Sequence, residues 1–514
     1  MTNEKRLLLA ITLSLLIVTG WSFVISKMYP QQKQLVTATK PVAQQPAAAK
    51  AVIVQSWDES SLQNFSLPGQ DAEFALPYAI LKKTIFKDYQ NSAFNLDTGF
   101  LLPDKDLLFN VSQNGQKISF VHQDAAKRIT KVFSSRNSKY NMDLGITIEN
   151  LGSAPISLDY PLVIGEVKIQ SGHFAERLKE IYFAEKEKVV HLSPFRNYST
   201  SGEIKFAGFR DRYFCVVVQP EQSGYKGYIK KISNEHSEMG IIYPLKILPG
   251  QIQQLNFHIY LGPQELQLLK ASEEEWGAVV YYGIFDAIAR ALMQGLRFIN
   301  NIVGNWGLTL ILLSVAIYFI LFPLSIKQMR SMKRMQEIQP KVEELRAKYK
   351  KDASELNKKV LELYQREKVN PFSGCLPMIL QIPIFFALYQ GLIRSIELKG
   401  ATFMWIKDLA EPDKLISLSQ AIPFVGKDIN ILPVLMAILM FFQQKLTMTS
   451  SGASSTAAEQ QKMMMYIMPV LFGVIFYNMP SGLVLYWFVN SILMLVFQLR
   501  MTQQSVSKQG IIDV

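Results

Sequence analysis

The sequence predicts a multi-domain membrane protein: an all-α region of six transmembrane spans, an all-β sandwich domain on one side of the bilayer and a helical hairpin on the other. Three observations carry that expectation. Uncharged stretches long enough to cross hydrocarbon recur along the 514 residues. A long region of period-two alternation separates the first stretch from the rest. Lys and Arg gather in one of the loops. The composition agrees, since 49% apolar and 19% charged residues with a net charge of +12 suit a membrane protein carrying large water-exposed parts.

The elements follow in chain order. After Lys5 and Arg6 comes the uncharged run LLLAITLSLLIVTGWSFVIS, so residues 1–27 are expected to form an N-terminal transmembrane helix with its N-terminus in the cytoplasm. A cleaved leader is the alternative. The run exceeds the usual apolar core of such leaders, and no small-x-small site follows it. Residues 28–56, rich in Gln, Ala and Pro, have little to bury and read as a flexible linker.

Residues 57–276 read as the β-sandwich domain. Tyr140, Met142, Leu144, Ile146 and Ile148 alternate with Asn141, Asp143, Thr147 and Glu149, and RYFCVVVQP and QLNFHIYLGP are further strand-like runs between turn residues. If the first span is retained, this domain lies outside the cytoplasm. Residues 277–304 then place Tyr281, Ile284, Ile288, Leu292, Leu296, Ile299 and Val303 at helical spacing, with Asp286, Arg290 and Arg297 on another face. This is the pattern of an interfacial amphipathic helix, the alternative being a helix packed on the β-domain.

Four uncharged stretches follow, Trp306–Ile326, Val369–Ile393, Ile429–Gln444 and Met463–Leu499, the last divided by the turn signal NMPSG. The expected spans are therefore 305–326, 369–394, 429–445, 463–479 and 480–500, two of them short enough to thin the bilayer. Between Lys327 and Lys368 there are 13 Lys/Arg against 7 Asp/Glu, whereas Glu397–Asp428 has 4 Lys against 5 acids. The positive loop belongs inside, so 327–368 is cytoplasmic, 395–428 external, 446–462 a cytoplasmic loop and 501–514 a cytoplasmic tail. Ile338, Val342, Leu345 and Tyr349, then Leu356, Val360 and Leu363, recur at helical spacing on either side of Asp352 and Glu355, which resemble a capping box. An antiparallel helical hairpin is expected, its basic surface (Lys327, Arg330, Lys333, Arg334, Lys358, Lys359) being either a solvated face or a contact for anionic lipid or ribosomal RNA.

Polar residues inside the spans point to function. Ser314 and Tyr318 share a face, Gln381 sits mid-span, and Tyr486 and Asn490 share a face. Isolated polar groups in lipid cost several kcal/mol, so these five are expected to turn inward and line a groove, helix-to-helix hydrogen bonding being the alternative. Pro323, Pro377, Pro383, Pro433 and Pro469 argue in the same direction, because irregular backbone at membrane depth is tolerated where it lines a cavity.

NPFSGCLPMILQIPIFFALY, NWGLTLILLSVAIYFILFPLS, MWIKDL with Asp413, and MPSGLVLYWFVNSIL resemble the YidC membrane protein insertases of Gram-negative inner membranes, and YFCVVVQP and YLGPQE resemble their periplasmic domain. The resemblance runs in order along nearly the whole chain. It implies a five-helix insertase core with a lipid-open hydrophilic groove that receives the polar flank of a nascent client. It also implies an apolar slide along the third and fifth spans, here Ile384, Phe385, Leu388, Pro469, Leu471 and Phe472. Clients recruited by the hairpin, the ribosome, the Sec translocon and membrane lipids are the implied partners, with the monomer as the active form. Two departures stand out: Tyr318 occupies the position of the family's groove arginine, and the tail QQSVSKQGIIDV lacks a frequent basic extension.

No catalytic residue, cofactor or metal site is expected. There is no G-x-x-x-x-G-K-[ST] for ATP, and all five histidines precede Trp276, which leaves Ser481 without a general base. Cys215 and Cys375 fall in different regions and are not expected to pair. The rival readings are a lipid scramblase or a membrane transporter. Ion-coupled transport lacks the intramembrane charges it would need. Most of residues 57–275 are expected to be dispensable for core insertion.

Overall fold

The protein is described from a computed structural model over residues 62–509, apart from 104–106, 137, 170–177, 187, 350–351, 368, 370–375, 423–425 and 450–454. The expected first span and linker, Cys375 and Pro371 lie outside the described residues.

The first half of the described chain is built from strands. They are β1 (Leu62–Leu67), β2 (Gln70–Ala75), β3 (Ile80–Phe86), β4 (Ser92–Gly99), β5 (Asn110–Asn114), β6 (Lys117–Gln123), β7 (Lys127–Ser135), β8 (Asn141–Asn150) and β9 (Ile156–Lys168). The series continues with β10 (Glu180–Glu185), β11 (Lys188–Leu192), β12 (Tyr198–Ser199), β13 (Ile204–Arg210), β14 (Phe214–Pro220), β15 (Lys226–Lys231), β16 (His236–Ile247) and β17 (Ile252–Pro263). A nine-stranded sheet of order β11-β10-β13-β14-β17-β8-β7-β6-β5 packs against two four-stranded sheets, β1-β2-β3-β4 and β12-β15-β16-β9. This is the β-sandwich.

The alternation in β8 places Met142, Leu144, Ile146 and Ile148 in the core, and Tyr140 just before it is buried too. Phe74 of β2 touches Phe120 of β6 and Phe133 of β7, so the aromatic side chains bridge the sheets. One inward position on β7 breaks the apolar rule. Lys131 is fully buried between Ile129 and Phe133, and its ammonium donates to the carbonyls of Ala79 and Phe100, each at 2.6 Å. Burial pushes it down to about 7.

The second half is helical: α1 (Leu266–Ser272), α2 (Asp286–Val303), α3 (Trp306–Glu337), α4 (Gln339–Lys348), α5 (Ala353–Arg366), α6 (Leu376–Ile393), α7 (Ile431–Thr449), α8 (Ser455–Phe476) and α9 (Ser481–Gln509). Between α6 and α7 stands a small hairpin of β18 (Ile416–Ile422) and β19 (Gly426–Ile429). Among the described residues, two helices hold a span-length apolar segment, Trp306–Lys327 and Ser481–Arg500, and Gln381–Ile393, Ile431–Leu446 and Met465–Phe476 are shorter.

Three expectations change. The helix starting at Trp306 does not stop at Ile326 but continues to Glu337, so Lys327, Arg330, Lys333 and Arg334 belong to α3 and the hairpin proper is α4 and α5. Nothing in KQMRSMKRMQE breaks a helix once it leaves the apolar segment. The prolines do not interrupt backbone either: Pro323, Pro383 and Pro469 lie inside continuous helices, and Pro377 and Pro433 sit in first turns, where no N–H is needed. Their argument for a cavity therefore falls. Finally, α2 packs on α3 and α6, but its buried stripe is Ala289, Met293 and Leu296, while Ile284 and Ile288 from the expected apolar line are exposed.

Candidate functional site

Ser314, Tyr318, Gln381, Tyr486 and Asn490 sit on α3, α6 and α9, which contact one another. From α6, the Gln381 amide donates to the Tyr486 hydroxyl of α9 at 2.6 Å. The other three behave locally. Ser314 is buried and donates back to the carbonyl of Leu310 at 2.7 Å, and Asn490 donates to the carbonyl of Tyr486 at 3.0 Å, both one helical turn away. The Tyr318 hydroxyl is buried without a protein partner among the described residues, and its ring lies beside Phe322, which meets Phe497 of α9. The structure thus brings Gln381 and Tyr486 together in a helix-to-helix bond and, among the described residues, shows no cross-helix hydrogen bond for Ser314, Tyr318 or Asn490.

The expected slide residues divide in a similar way. Phe385 of α6 and Phe472 of α8 converge on Trp487 of α9, with ring centroids 5.4 and 5.7 Å away, and Phe476 completes the cluster at 5.3 Å. Leu388 and Pro469 are buried, Ile384 is half-buried, and Leu471 is exposed. Sequence reasoning missed Trp487 and Phe476, although both stand in the apolar runs it singled out. It also missed Gln443, whose amide donates from α7 to the carbonyl of Ser491 on α9 at 2.5 Å.

Asp413 has a clear structural task. Its Oδ2 accepts from the backbone N–H groups of Ile431 and Leu432 at 2.9 and 3.0 Å and from the Trp405 indole at 3.3 Å. A buried carboxylate there satisfies the unpaired amides that open α7 and complements the positive end of that helix.

In the hairpin, Asp352 accepts from the backbone N–H of Ser354 and of Glu355, each at 3.0 Å, and so starts α5. Ile338, Val342 and Leu363 are buried, and Lys341 bridges to Glu367 at 2.9 Å. Lys327, Arg330, Arg334 and Lys358 are exposed, and Lys359 pairs with Glu362. The Lys333 side chain lies outside what is described. Two cavities, of about 490 and 210 Å³, are lined by β-domain strands and neighbouring segments, and neither lies among α3, α6 and α9.

Residues 65–294 match the family described as the YidC periplasmic domain, and residues 298–508 match the one described as the 60Kd inner membrane protein. The chain is 33% identical over 418 residues to the membrane protein insertase YidC of Geobacter sulfurreducens, covering 79% of this chain and 74% of that one. It is 31% identical over 560 residues to the Geobacter metallireducens protein of the same description, covering 96% and 97%. Among solved structures, it is similar to an active YidC insertase crystal structure with the first transmembrane domain resolved, at TM-score 0.40 and 20% identity, covering 86% of this chain and 93% of that one.

Proposed function

The chain belongs to the family of YidC membrane protein insertases, and from that premise we propose that α3, α6 and α9 bound a groove that shelters the polar flank of a nascent client. The protein is an inner-membrane insertase with a periplasmic β-sandwich domain. How it inserts is the proposal. Partitioning of the client's apolar segment supplies most of the driving force, and the groove lowers the barrier for the polar flank without a covalent step.

The observation that supports this reading is the Tyr318 hydroxyl, buried among apolar neighbours with no partner among the described residues, whereas Gln381 and Tyr486 satisfy each other in the helix-to-helix bond that was the alternative. Tyr318, whose hydroxyl has no partner among the described residues, offers a hydrogen bond and no charge, so it suits neutral polar flanks as well as acidic ones. The aromatic cluster around Trp487, with Leu388 and Pro469 beside it, forms the apolar side along which the client leaves. The wider arrangement proposed has six spans with both termini cytoplasmic, a monomer that works alone or with the Sec translocon, and a hairpin that meets clients, ribosome and lipid headgroups.

The test is insertion of a short single-span client into ATP-free proteoliposomes holding only this protein, scored by protease protection. Protection well above that of protein-free vesicles is expected. Background protection with a correctly oriented, folded protein would overturn autonomous insertion.

A further inference from the structure

The β-domain does not merely sit beside the helices; one of its turns holds two of them. Between β13 and β14, the Asp211 carboxylate accepts from the backbone N–H groups of Tyr213 and Phe214, both at 2.7 Å, and the Asp211 carbonyl accepts from the Gln264 amide at 2.7 Å. This fixed turn projects Arg212 out of the sandwich. The guanidinium lies against the Tyr213 ring at 4.8 Å and reaches three separate acceptors. Nε donates to the carbonyl of Ile393, the last residue of α6, at 2.8 Å, Nη2 to the carbonyl of Ala410 at 2.6 Å, and Nη1 to the Glu411 carboxylate at 2.8 Å.

The 408–411 turn in its own right opens α9. Backbone N–H groups of Ser481 and Gly482 donate to the carbonyls of Glu411 and Leu409 at 2.8 and 2.9 Å, and the Ser481 hydroxyl donates to the Asp408 carbonyl at 3.0 Å. A second contact flanks the first. Arg394, one residue beyond α6, donates to Glu180 of β10 at 2.9 Å, and Glu180 also accepts from Arg210 of β13 at 3.1 Å. Two buried guanidiniums thus share one carboxylate across the junction.

We propose that Arg212, seconded by Glu180, is a positioning residue for insertion: it latches the end of α6 to the turn that starts α9, and so sets the spacing of the two helices that meet at Gln381 and Tyr486. The geometry favours a guanidinium specifically. A cation at the C-terminal end of α6 complements the helix dipole, but only a planar fork reaches one helix carbonyl, one turn carbonyl and one carboxylate at once. Ser481, which invites a catalytic reading from sequence, is here a helix-start residue bonded to that turn. The proposal rests on the groove reading only through Gln381 and Tyr486.

The experiment uses the full chain reconstituted in lipid, with client insertion and hydrogen exchange measured on the same samples. Arg212→Ala is expected to lower inserted client about five- to tenfold. Amides at 393–396 and 481–484 should exchange faster, with those of β8, β14 and β17 unchanged. Arg212→Lys should recover little of the insertion, because an ammonium keeps the charge but not the three bonds. Should Arg212→Ala fail to accumulate, Glu411→Gln breaks one arm of the latch from the helical side and should loosen the same two helix ends with a smaller insertion loss. Parental insertion by Arg212→Ala, insertion loss with unchanged exchange at the helix ends, or faster exchange throughout the sandwich would each overturn the latch. Parental insertion by Gln381→Leu with loosened ends in Arg212→Ala would instead overturn the groove and leave the latch standing.

Discussion

The outer ends of α6 and α9 and the middles of the same helices are held by different kinds of bond. At the outer end, Arg212, Arg394, Glu180, Glu411 and Ser481 make a dense set of charged and backbone hydrogen bonds. At mid-depth, one amide-to-hydroxyl bond and a cluster of aromatic rings join the helices. Charge-assisted bonds are directional and costly to leave unmade, whereas apolar side chains in lipid exchange one apolar neighbour for another at little cost. The difference teaches that the two helices are joined by charged and backbone bonds at the end beside the β-domain and mainly by apolar contacts further along, so the proposed groove would open most readily away from that end.

The comparison can be broken most forcefully at Glu180. Burial alone would push its carboxyl up, but His191, Arg210 and Arg394 together hold it well below the usual carboxylate range. Glu180→Gln leaves two buried guanidiniums without a counter-charge, and a loss of about 3–5 kcal/mol is expected in denaturant unfolding of the purified protein.

Lys131 sharpens the contrast from within the sandwich, where among the described residues the ammonium meets two carbonyls and the rings of Phe109 and Phe133 and no carboxylate. Its folded value of about 7 lies below the ordinary lysine value, so above pH 7 the unfolded chain binds the extra proton and stability rises with pH until the ordinary value is reached. Below pH 7 both states are charged and the contribution is flat. Unfolding curves between pH 8 and 10 should show a slope of about 1.4 kcal/mol per pH unit from this group, absent in Lys131→Met.

Asp413→Ala removes the start of α7 and should cost about 1–2 kcal/mol, read as faster amide exchange at Ile431 and Leu432. Tyr486→Phe removes the mid-depth bond and is expected to cost about 1 kcal/mol, with client insertion falling more than stability. The smallest effect on stability belongs to Tyr318→Phe, since the lost hydroxyl has no partner among the described residues. Its insertion defect should nevertheless exceed that of Tyr318→Arg for clients with polar flanks, and equal activity of the two variants would remove Tyr318 from the site.

What could be read in the sequence was what neighbours in sequence decide. Period two gave β8 side chain by side chain, Asp352 marked the start of α5, and the NMPSG signal fell where α8 ends and α9 begins. What could not be read was set by distant partners. The stripe that α2 buries is chosen by α3 and α6, so Met293 faces inward and Ile288 does not. That Ser314 and Asn490 bond to their own helix was not legible either, because a polar type in an apolar run has two outlets, the neighbouring helix or its own backbone, and spacing does not tell them apart. Arg212 stood in the sequence only as the first residue of the strand-like run RYFCVVVQP; its acceptors lie 181 to 199 positions later in the chain.

That long separation has a consequence for how the protein itself is made. Glu180 and Arg210 are near each other in the chain and can pair once the sandwich folds, but Arg394 and the 408–411 turn follow α2 to α6 and are synthesised later. The proposed latch would therefore close late, when the end of α6 reaches a sandwich that has already folded. A chain whose α6 stalled or inverted would be left with Arg212 pointing into water and the helix carbonyls uncapped. Such a chain carries a local flaw at a solvent-facing turn, the kind of site that quality-control proteases cut first.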